Sequence, residues 1–329
     1  MAYGSYGTDT VDAGGTPVTG FTSGTAGAVS YHSGFVTPIP ASSTGDPTTT
    51  AEPCCAYDTG LGYDATSGTT WAAWYSNSGQ QPTDGILAQQ IEPSLGTRIQ
   101  APGSTLDYSG SISSVDPGQR IVVAPRVGGG VYAAYFQGYP SPTRVALWKL
   151  GATTALVRPG GDVGRVGVAA GPGGRMWLYW WDTSSDVVHA ARTNPAVTAL
   201  GAVCSVATPG KTTDVWDLVG NAGQGPLQLF ANAGEPNAQI YDTVVQPCLS
   251  VSVSPSKVSA VTGGTVTVTV SDAGAPVSGA KVGFLGHHET TPASGKVKLT
   301  VPKHHSKGSF PVTVTHVGYE RAGASVRVR

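Results

Sequence analysis

Charge is scarce in this chain. Only 12% of its 329 residues are Asp, Glu, Lys or Arg, and the net charge is −1. No long basic run occurs, which removes the usual electrostatic footprint of a nucleic-acid binder. No run of about 18 apolar residues occurs, so no segment is set to cross a membrane as a helix. The N-terminus has no charged start followed by an apolar stretch, and the expectation is that an export signal has already been removed. Low Lys and Glu with high Ser, Thr and Gly fits a secreted, extracellular or cell-surface chain. Cysteine is limited to Cys54, Cys55, Cys204 and Cys248. None shows the C-x₂₋₄-C spacing of a zinc site. Four cysteines allow three pairings; Cys54–Cys55 with Cys204–Cys248 is one of them. The paired reading is preferred over four free or partly buried thiols.

What is plentiful is Gly and Pro, at 46 and 24 residues. Both punctuate turns, so the chain is expected to consist of many short elements. Ser, Thr, Val, Trp and Tyr fill the intervals and favour strands. Thirteen Tyr and seven Trp argue against disorder, because disordered chains are poor in aromatics.

One pattern recurs: an apolar run, a Gly turn, then an aromatic strand. It is clearest at Gly62–Tyr75 and again where Ile121–Ala124 leads through Gly128–Gly130 to Val131–Phe136. Val166–Ala170 leads through Gly171–Gly174 to Met176–Trp181, and Leu218–Gly220 leads to Leu227–Phe230. A weak first copy centres on Val29–Tyr31. Further strands follow each copy, such as Arg144–Trp148, Val187–Ala191 and Leu200–Cys204. Aligned aromatics are Tyr31, Trp74, Tyr135, Trp180 and Phe230, close to the ~40–50 residues of a four-stranded propeller blade apart from the longer Trp74–Tyr135 interval. The expectation is an all-β chain with a small β-propeller over residues 1–248. About five blades are expected, or six if the long interval hides a degenerate one. The last copy looks one strand short, a strand the N-terminal segment is placed to supply.

After Pro247 the pattern changes to strict alternation, as in Thr265–Val270, Lys296–Val301 and Ala324–Val328. Alternation gives each strand one buried and one wet face. Residues 249–329 are therefore expected to form an Ig-like β-sandwich.

Cys54–Asp58, Trp71–Asn77, Gly138–Ser141, Val145–Trp148 and Ala191–Asn194 together resemble secreted actinobacterial propellers of the sialidase-like, BNR-repeat kind. The cues Gly274–Val282, Ala293–Lys296 and Val317–Tyr319 resemble bacterial Ig-like or carboxypeptidase-regulatory-like modules, which implies a spacer or adhesion role. Sialidases of this resemblance use an arginine cluster, a Tyr–Glu pair, an Asp acid and turn motifs of the form S-x-D-x-G-x-T-W. Here Asp64–Trp71 keeps Gly68, Thr70 and Trp71 of that motif, but Thr66 stands where its Asp should be. Glutamate before residue 249 is limited to Glu52, Glu92 and Glu235, and Arg120, Arg126, Arg158 and Arg165 are scattered over the repeats. Catalytic residues are therefore left unassigned.

Loops at one end of the propeller are the expected site. They carry Cys54, Cys55, Tyr57, Asp58, Tyr139, Trp181 and Asp182, with Tyr108, Asp116, Asp214 and Glu235 on the same end. Aromatic faces beside carboxylates suit a sugar, which stacks its ring and donates its hydroxyls. The competing reading is that Trp71, Trp74, Trp177 and Trp180 are core, and that half of the strand-end aromatics are structural as well. Five of the seven histidines follow residue 286. His287, His288, His304 and His305 are expected at one end of the sandwich, where converging imidazoles would take a divalent transition metal; two solvated loops are the competing and preferred reading, so no cofactor is expected. The leading function is binding of a glycan or cell-surface ligand, without nucleic acid or membrane insertion. The alternatives are a sialidase-like glycoside hydrolase or lyase and a structural surface-assembly protein. The oligomeric state is left open.

Overall fold

In the computed structural model the turn signals and the period-two segments translate into strands. The structure describes residues 10–13, 16–22, 34–38, 48–50, 56–76, 85–94, 96–104, 121–138, 142–207, 215–233 and 239–329, for some of them the backbone path alone. Among these residues the only helical piece is the 3₁₀ turn Pro172–Gly174.

Five sheets follow one another along the chain, each a simple antiparallel meander. The first is β1 (Thr10–Ala13), β2 (Thr16–Thr22), β3 (Gly34–Pro38) and β4 (Thr48–Thr50). The second is β5 (Ala56–Asp64), β6 (Thr69–Ser76), β7 (Gly85–Glu92) and β8 (Ile99–Gln100). The third is β9 (Ile121–Pro125), β10 (Val131–Gln137), β11 (Arg144–Lys149) and β12 (Ala155–Pro159). The fourth is β13 (Val163–Ala170), β14 (Met176–Asp182), β15 (Val187–Thr193) and β16 (Leu200–Ala207). The fifth is β17 (Val215–Asn221), β18 (Leu227–Ala233) and β19 (Gln239–Val245).

Consecutive sheets touch through their first strands: β5 packs on β9, β9 on β13 and β13 on β17, while β1 and β2 pack on β5. Repeated meanders stacked through their innermost strands are the plan of a propeller. The N-terminal strands pair among themselves in their own four-stranded sheet. They do not complete the last sheet, which has three strands among the described residues. The weak copy at Val29–Tyr31 lies outside the described residues.

The second strands β6, β10 and β14, with β11, carry the bulk. Trp74, Tyr135, Trp148, Trp177 and Trp180 are buried, and so is the whole of β14. Indole N–H groups that enter this core need acceptors. Trp180 Nε1 donates to Gly160 O at 2.9 Å and Trp148 Nε1 to Ala152 O at 2.7 Å. Tyr179 explains two of the many glycines. Its ring covers Gly167 of β13 on one side and Gly220 of β17 on the other, and a Cβ at either position would enter the ring. Burial pushes the Tyr179 phenol well above its usual range.

The first hairpins of successive sheets are tied together at one end. The Asp64 carboxylate accepts from Thr66 N at 2.9 Å, from Ser67 Oγ at 2.9 Å and from the backbone of Gly130 in the next hairpin. Arg126, beside that hairpin, donates Nε to Gly174 O of the following one at 2.7 Å. Its Nη1 also reaches Gly129 O at 3.1 Å. Trp177 Nε1 donates to Gly225 O of the fifth sheet at 3.1 Å.

The chain divides into two compact units. One takes in residues 1–190 and 205–244, the other 191–204 and 245–329. The second unit is a two-sheet sandwich. Its strands are β20 (Ser250–Ser254), β21 (Lys257–Val258), β22 (Gly264–Asp272), β23 (Ala275–Pro276), β24 (Lys281–Phe284), β25 (His287–Thr290), β26 (Lys296–Val301), β27 (Gly308–Thr315) and β28 (Ala322–Val328). One sheet joins β20, β22, β23 and β26, and the other runs β21-β28-β27-β24-β25. Val266, Val268 and Val270 of β22 meet Val282, Val312, Val314 and Val326 in a common core. The alternating positions of β22 and β26 face outward, as their period-two pattern requires.

Residues 191–204 join this unit for identifiable reasons. Cys204 forms a disulfide with Cys248, and Ala202 bridges to Cys248. Arg192 Nη2 donates to Asp272 Oδ2 at 2.5 Å and to Tyr319 Oη at 3.1 Å, and Tyr319 donates to the same carboxylate oxygen at 3.0 Å. The guanidinium also lies 5.3 Å from the Tyr319 ring centroid.

Candidate functional site

Blade loops at the end opposite the tied hairpins connect second strands to third strands and fourth strands to the next sheet. Cys54, Cys55, Tyr139, Tyr108, Asp116, Asp214 and Glu235 lie outside the described residues. Tyr57 and Asp58 open β5, with Tyr57 paired to Tyr75 and a register shift before Gly60; their side chains are likewise outside the description. Trp181 and Asp182 end β14, at the entrance to the loop Thr183–Asp186. Of the residues that the sequence selects for this end, the side chains described are thus Trp181 and Asp182, neighbours in the chain that leave β14 on opposite faces.

Asp182 is 8% exposed and organises its own surroundings. Its Oδ1 accepts from Asp162 N at 3.0 Å, Ser184 N at 3.1 Å and Ser184 Oγ at 2.7 Å, and its Oδ2 accepts from Ser185 Oγ at 2.8 Å. One carboxylate thus fastens the β14–β15 loop to the loop that enters β13. Burial alone raises the pKa of the carboxyl. Hydrogen bonds from Ser184, Asp162 and Ser185 outweigh it and hold the group below the ordinary aspartate value. Gly161 has φ +77, and a Cβ there would run into this carboxylate.

His189 on β15 is a member of the cluster that the sequence did not single out. Its Nε2 lies 3.8 Å from Asp182 Oδ2, its Nδ1 is 2.7 Å from Ser205 Oγ, and its ring packs 5.3 Å from Trp180. Burial lowers its pKa, and the Asp182 charge only partly restores it. The residue sits seven positions after Asp182 on the strand that folds back from the loop. The turn residues Thr183–Asp186 mark the loop, and counting along β15 from them gives that register.

Trp181 is 4% exposed, and its ring covers Gly164, where a Cβ would meet the indole. It pairs across the sheet with Arg165, whose Nη1 donates to Gly164 O at 2.7 Å. The Trp181 indole N–H is buried and has no acceptor among the described residues. Arg126, Arg158 and Arg165 do not gather. Arg126 is in the hairpin ties, Arg158 is on the outer strand β12, and Arg165 is on the innermost strand β13.

The histidine pairs of the sandwich lie on separate elements. Among the described residues no three His, Cys, Asp or Glu side chains come together as metal ligands. His287 and His288 point to opposite faces of β25, because adjacent strand residues alternate. His305 faces Ser306 O at 3.1 Å and packs edge-on against Phe310. His304 lies in a turn held by its backbone to Val261. His287, His288, His304 and His305 are thus not gathered into a metal centre.

No protein-family model matches the chain. No curated protein matches it either. Among solved structures, an exo-β-1,3-galactanase from Phanerochaete chrysosporium with bound galactose is similar at 10% identity and a TM-score of 0.42, over 99% of this chain and 95% of that one. A periplasmic gluconolactonase of Pseudomonas aeruginosa is similar at 14% identity and a TM-score of 0.36, over 90% and 92%. These likenesses are too distant to carry an argument, and the propeller rests on the sheet topology itself.

Proposed function

We propose that the chain is an exported protein whose propeller, residues 1–248, binds a carbohydrate through its loop end, with residues 249–329 as an Ig-like second module. The observation that carries this reading is the Trp181 indole N–H. A buried donor without an acceptor costs about 1–3 kcal/mol, and it is tolerated where a ligand or water supplies the missing acceptor. A sugar hydroxyl is such an acceptor, reached at the N–H edge of the indole, since the ring face itself lies on Gly164. Asp182 takes part as the group that fixes the loop around Trp181. Cys54, Cys55, Tyr57, Asp58 and Tyr139 complete the proposed rim.

The test is a glycan array together with a fluorogenic glycoside panel, sialosides included, on the intact chain and on Trp181→Phe. The variant keeps an aromatic ring and removes the N–H. Binding to a defined glycan, weakened about 10-fold in the variant, is expected for one lost hydrogen bond of ~1.4 kcal/mol. Turnover of a glycoside would replace the binding reading with the hydrolase one. Silence in both assays would refute the glycan reading and favour a structural surface role.

A further inference from the structure

The near-zero net charge conceals a strong imbalance. After residue 248 the sequence has nine Lys and Arg against three Asp and Glu, whereas the preceding residues have ten against seventeen. The sandwich segment is therefore net +6 and the rest net −7, which together restore −1. The three acids are dispersed. Asp272 is buried with Arg192. Glu289 is on β25, the far edge strand of the five-stranded sheet. Glu320 precedes β28 at the opposite end from Arg327.

The cations are concentrated. Lys257 of β21 pairs with Arg327 of β28, which pairs on its other side with Ser309 of β27. Neighbouring strands are about 4.8 Å apart, so Lys257 and Arg327 stand side by side. Val328 points into the core, which sends Arg327 and Arg329 outward on the same face. Lys307, Gly308 and Ser309 line an open groove with Arg327 and Arg329. Lys257, Lys303, Lys307, Arg327 and Arg329 are all exposed, and none enters an ion pair among the described residues. Glu289 lies three strand spacings across and five residues along from Arg327, roughly 22 Å away, and Glu320 roughly 23 Å along the strand. Two cations held side by side without a counter-charge repel one another, an arrangement relieved by an external anion.

The outward face beside this cluster carries Ser309, Pro311, Thr313, Thr315 and Ser325, with Pro311 the single apolar side chain on its β27 and β28 positions. Hydroxyls next to cations match a carboxylated sugar chain, which presents both anions and hydroxyls. A membrane surface would call for exposed aliphatic or aromatic anchors, and a single-stranded nucleic acid for exposed aromatic platforms. The face has no exposed aromatic ring among the described residues, and its aliphatic groups are the single valine Val261 and Pro311, too few to anchor a chain in lipid.

We infer that the β21–β28–β27 face of the sandwich is a binding surface for an acidic polysaccharide, separate from the propeller loops.

The test measures retention of the full chain on immobilised polygalacturonate, with dextran, duplex DNA and phosphatidylglycerol vesicles as comparators. Retention on polygalacturonate is expected to fall about 10-fold or more between about 50 and about 200 mM salt, by release of counterions. Lys307→Gln/Arg327→Gln/Arg329→Gln should weaken it by a similar factor. Lys149→Gln/Lys296→Gln/Lys298→Gln removes the same charge from strands of other sheets and should leave most of the retention. All six side chains are exposed, and a thermal melt confirms that both variants fold. Trp181→Phe should retain polygalacturonate binding whatever it does on the glycan array, which separates failure of this inference from failure of the propeller reading. Equal loss in both triple variants, equal binding to dextran, or tighter binding to DNA or to vesicles would overturn it.

Discussion

Replacing Asp182 isolates the cost of fastening the loop beside Trp181. In Asp182→Ala, the N–H groups of Asp162 and Ser184 lose the Oδ1 acceptor that they share at 3.0 and 3.1 Å. The Ser184 and Ser185 hydroxyls belong to exposed residues and can turn to water. The loss is then close to two charge-assisted hydrogen bonds, about 2–4 kcal/mol. Asp182→Asn keeps one carbonyl oxygen for the same two N–H groups and should cost only about 1 kcal/mol. Urea denaturation followed by tryptophan fluorescence measures both, since Trp180 and Trp181 adjoin the substituted residue. The carboxyl has a depressed pKa in the folded chain. Its stabilising effect is therefore full above the ordinary aspartate value of 3.8 and disappears as pH falls through the lower folded value. The gap between the native chain and Asp182→Asn should close over that acid window. A cost below about 0.5 kcal/mol for Asp182→Ala, or equal costs for Ala and Asn, would refute the account of Asp182 as a loop fastener.

Three other outcomes follow from the same contacts. Asp182→Asn removes the negative charge that raises the His189 pKa, so NMR titration should show His189 titrating lower than in the native chain. Arg192→Met leaves the Asp272 carboxylate buried without its cation and should cost about 3–5 kcal/mol, while Arg192→Met/Asp272→Leu should recover most of it in urea melts. Arg126→Met removes the donor to Gly174 O and should cost about 1–2 kcal/mol, with faster amide hydrogen exchange in the Gly171–Arg175 turn.

The alternation of apolar and polar residues made the architecture readable. Ile121–Ala124 and Val131–Phe136 are recovered as β9 and β10, and Thr265–Val270 falls within β22, because a strand buried on one or both faces imprints its period on its own residues. The N-terminal strands were harder. Thr16–Thr22 mixes Thr, Pro and Gly with two apolar residues, so its pattern names no partner, and its pairing with β3 rather than the last sheet is a matter of tertiary contact. Within the site, Asp182 was legible as a loop-end carboxylate, but its four donors were not. They come from Asp162, twenty residues upstream, and from serines whose orientation depends on the turn. The clustering of histidines after residue 286 was real as composition, yet alternation along β25 separates His287 from His288 whatever their spacing in sequence. The basic face was hidden by the opposite charge of the rest of the chain.

The hairpin ties at one end of the propeller have a consequence for how this protein can change. Each tie is made largely with backbone carbonyls or N–H groups of the next hairpin, at Gly130, Gly174 and Gly225. Such a tie requires the next turn to keep its backbone path. A lengthened or shortened hairpin would disengage from two neighbours at once. At the other end the described loops have ties of a different reach: Tyr135 Oη and Gln137 Nε2 donate to Pro102 O at 2.6 and 2.8 Å, Val163 N donates to Pro142 O at 2.9 Å, and Asp182 holds Asp162 to its own loop. The turns of the first end are thus bound to vary together, because a change in one displaces the backbone on which its neighbour's tie depends.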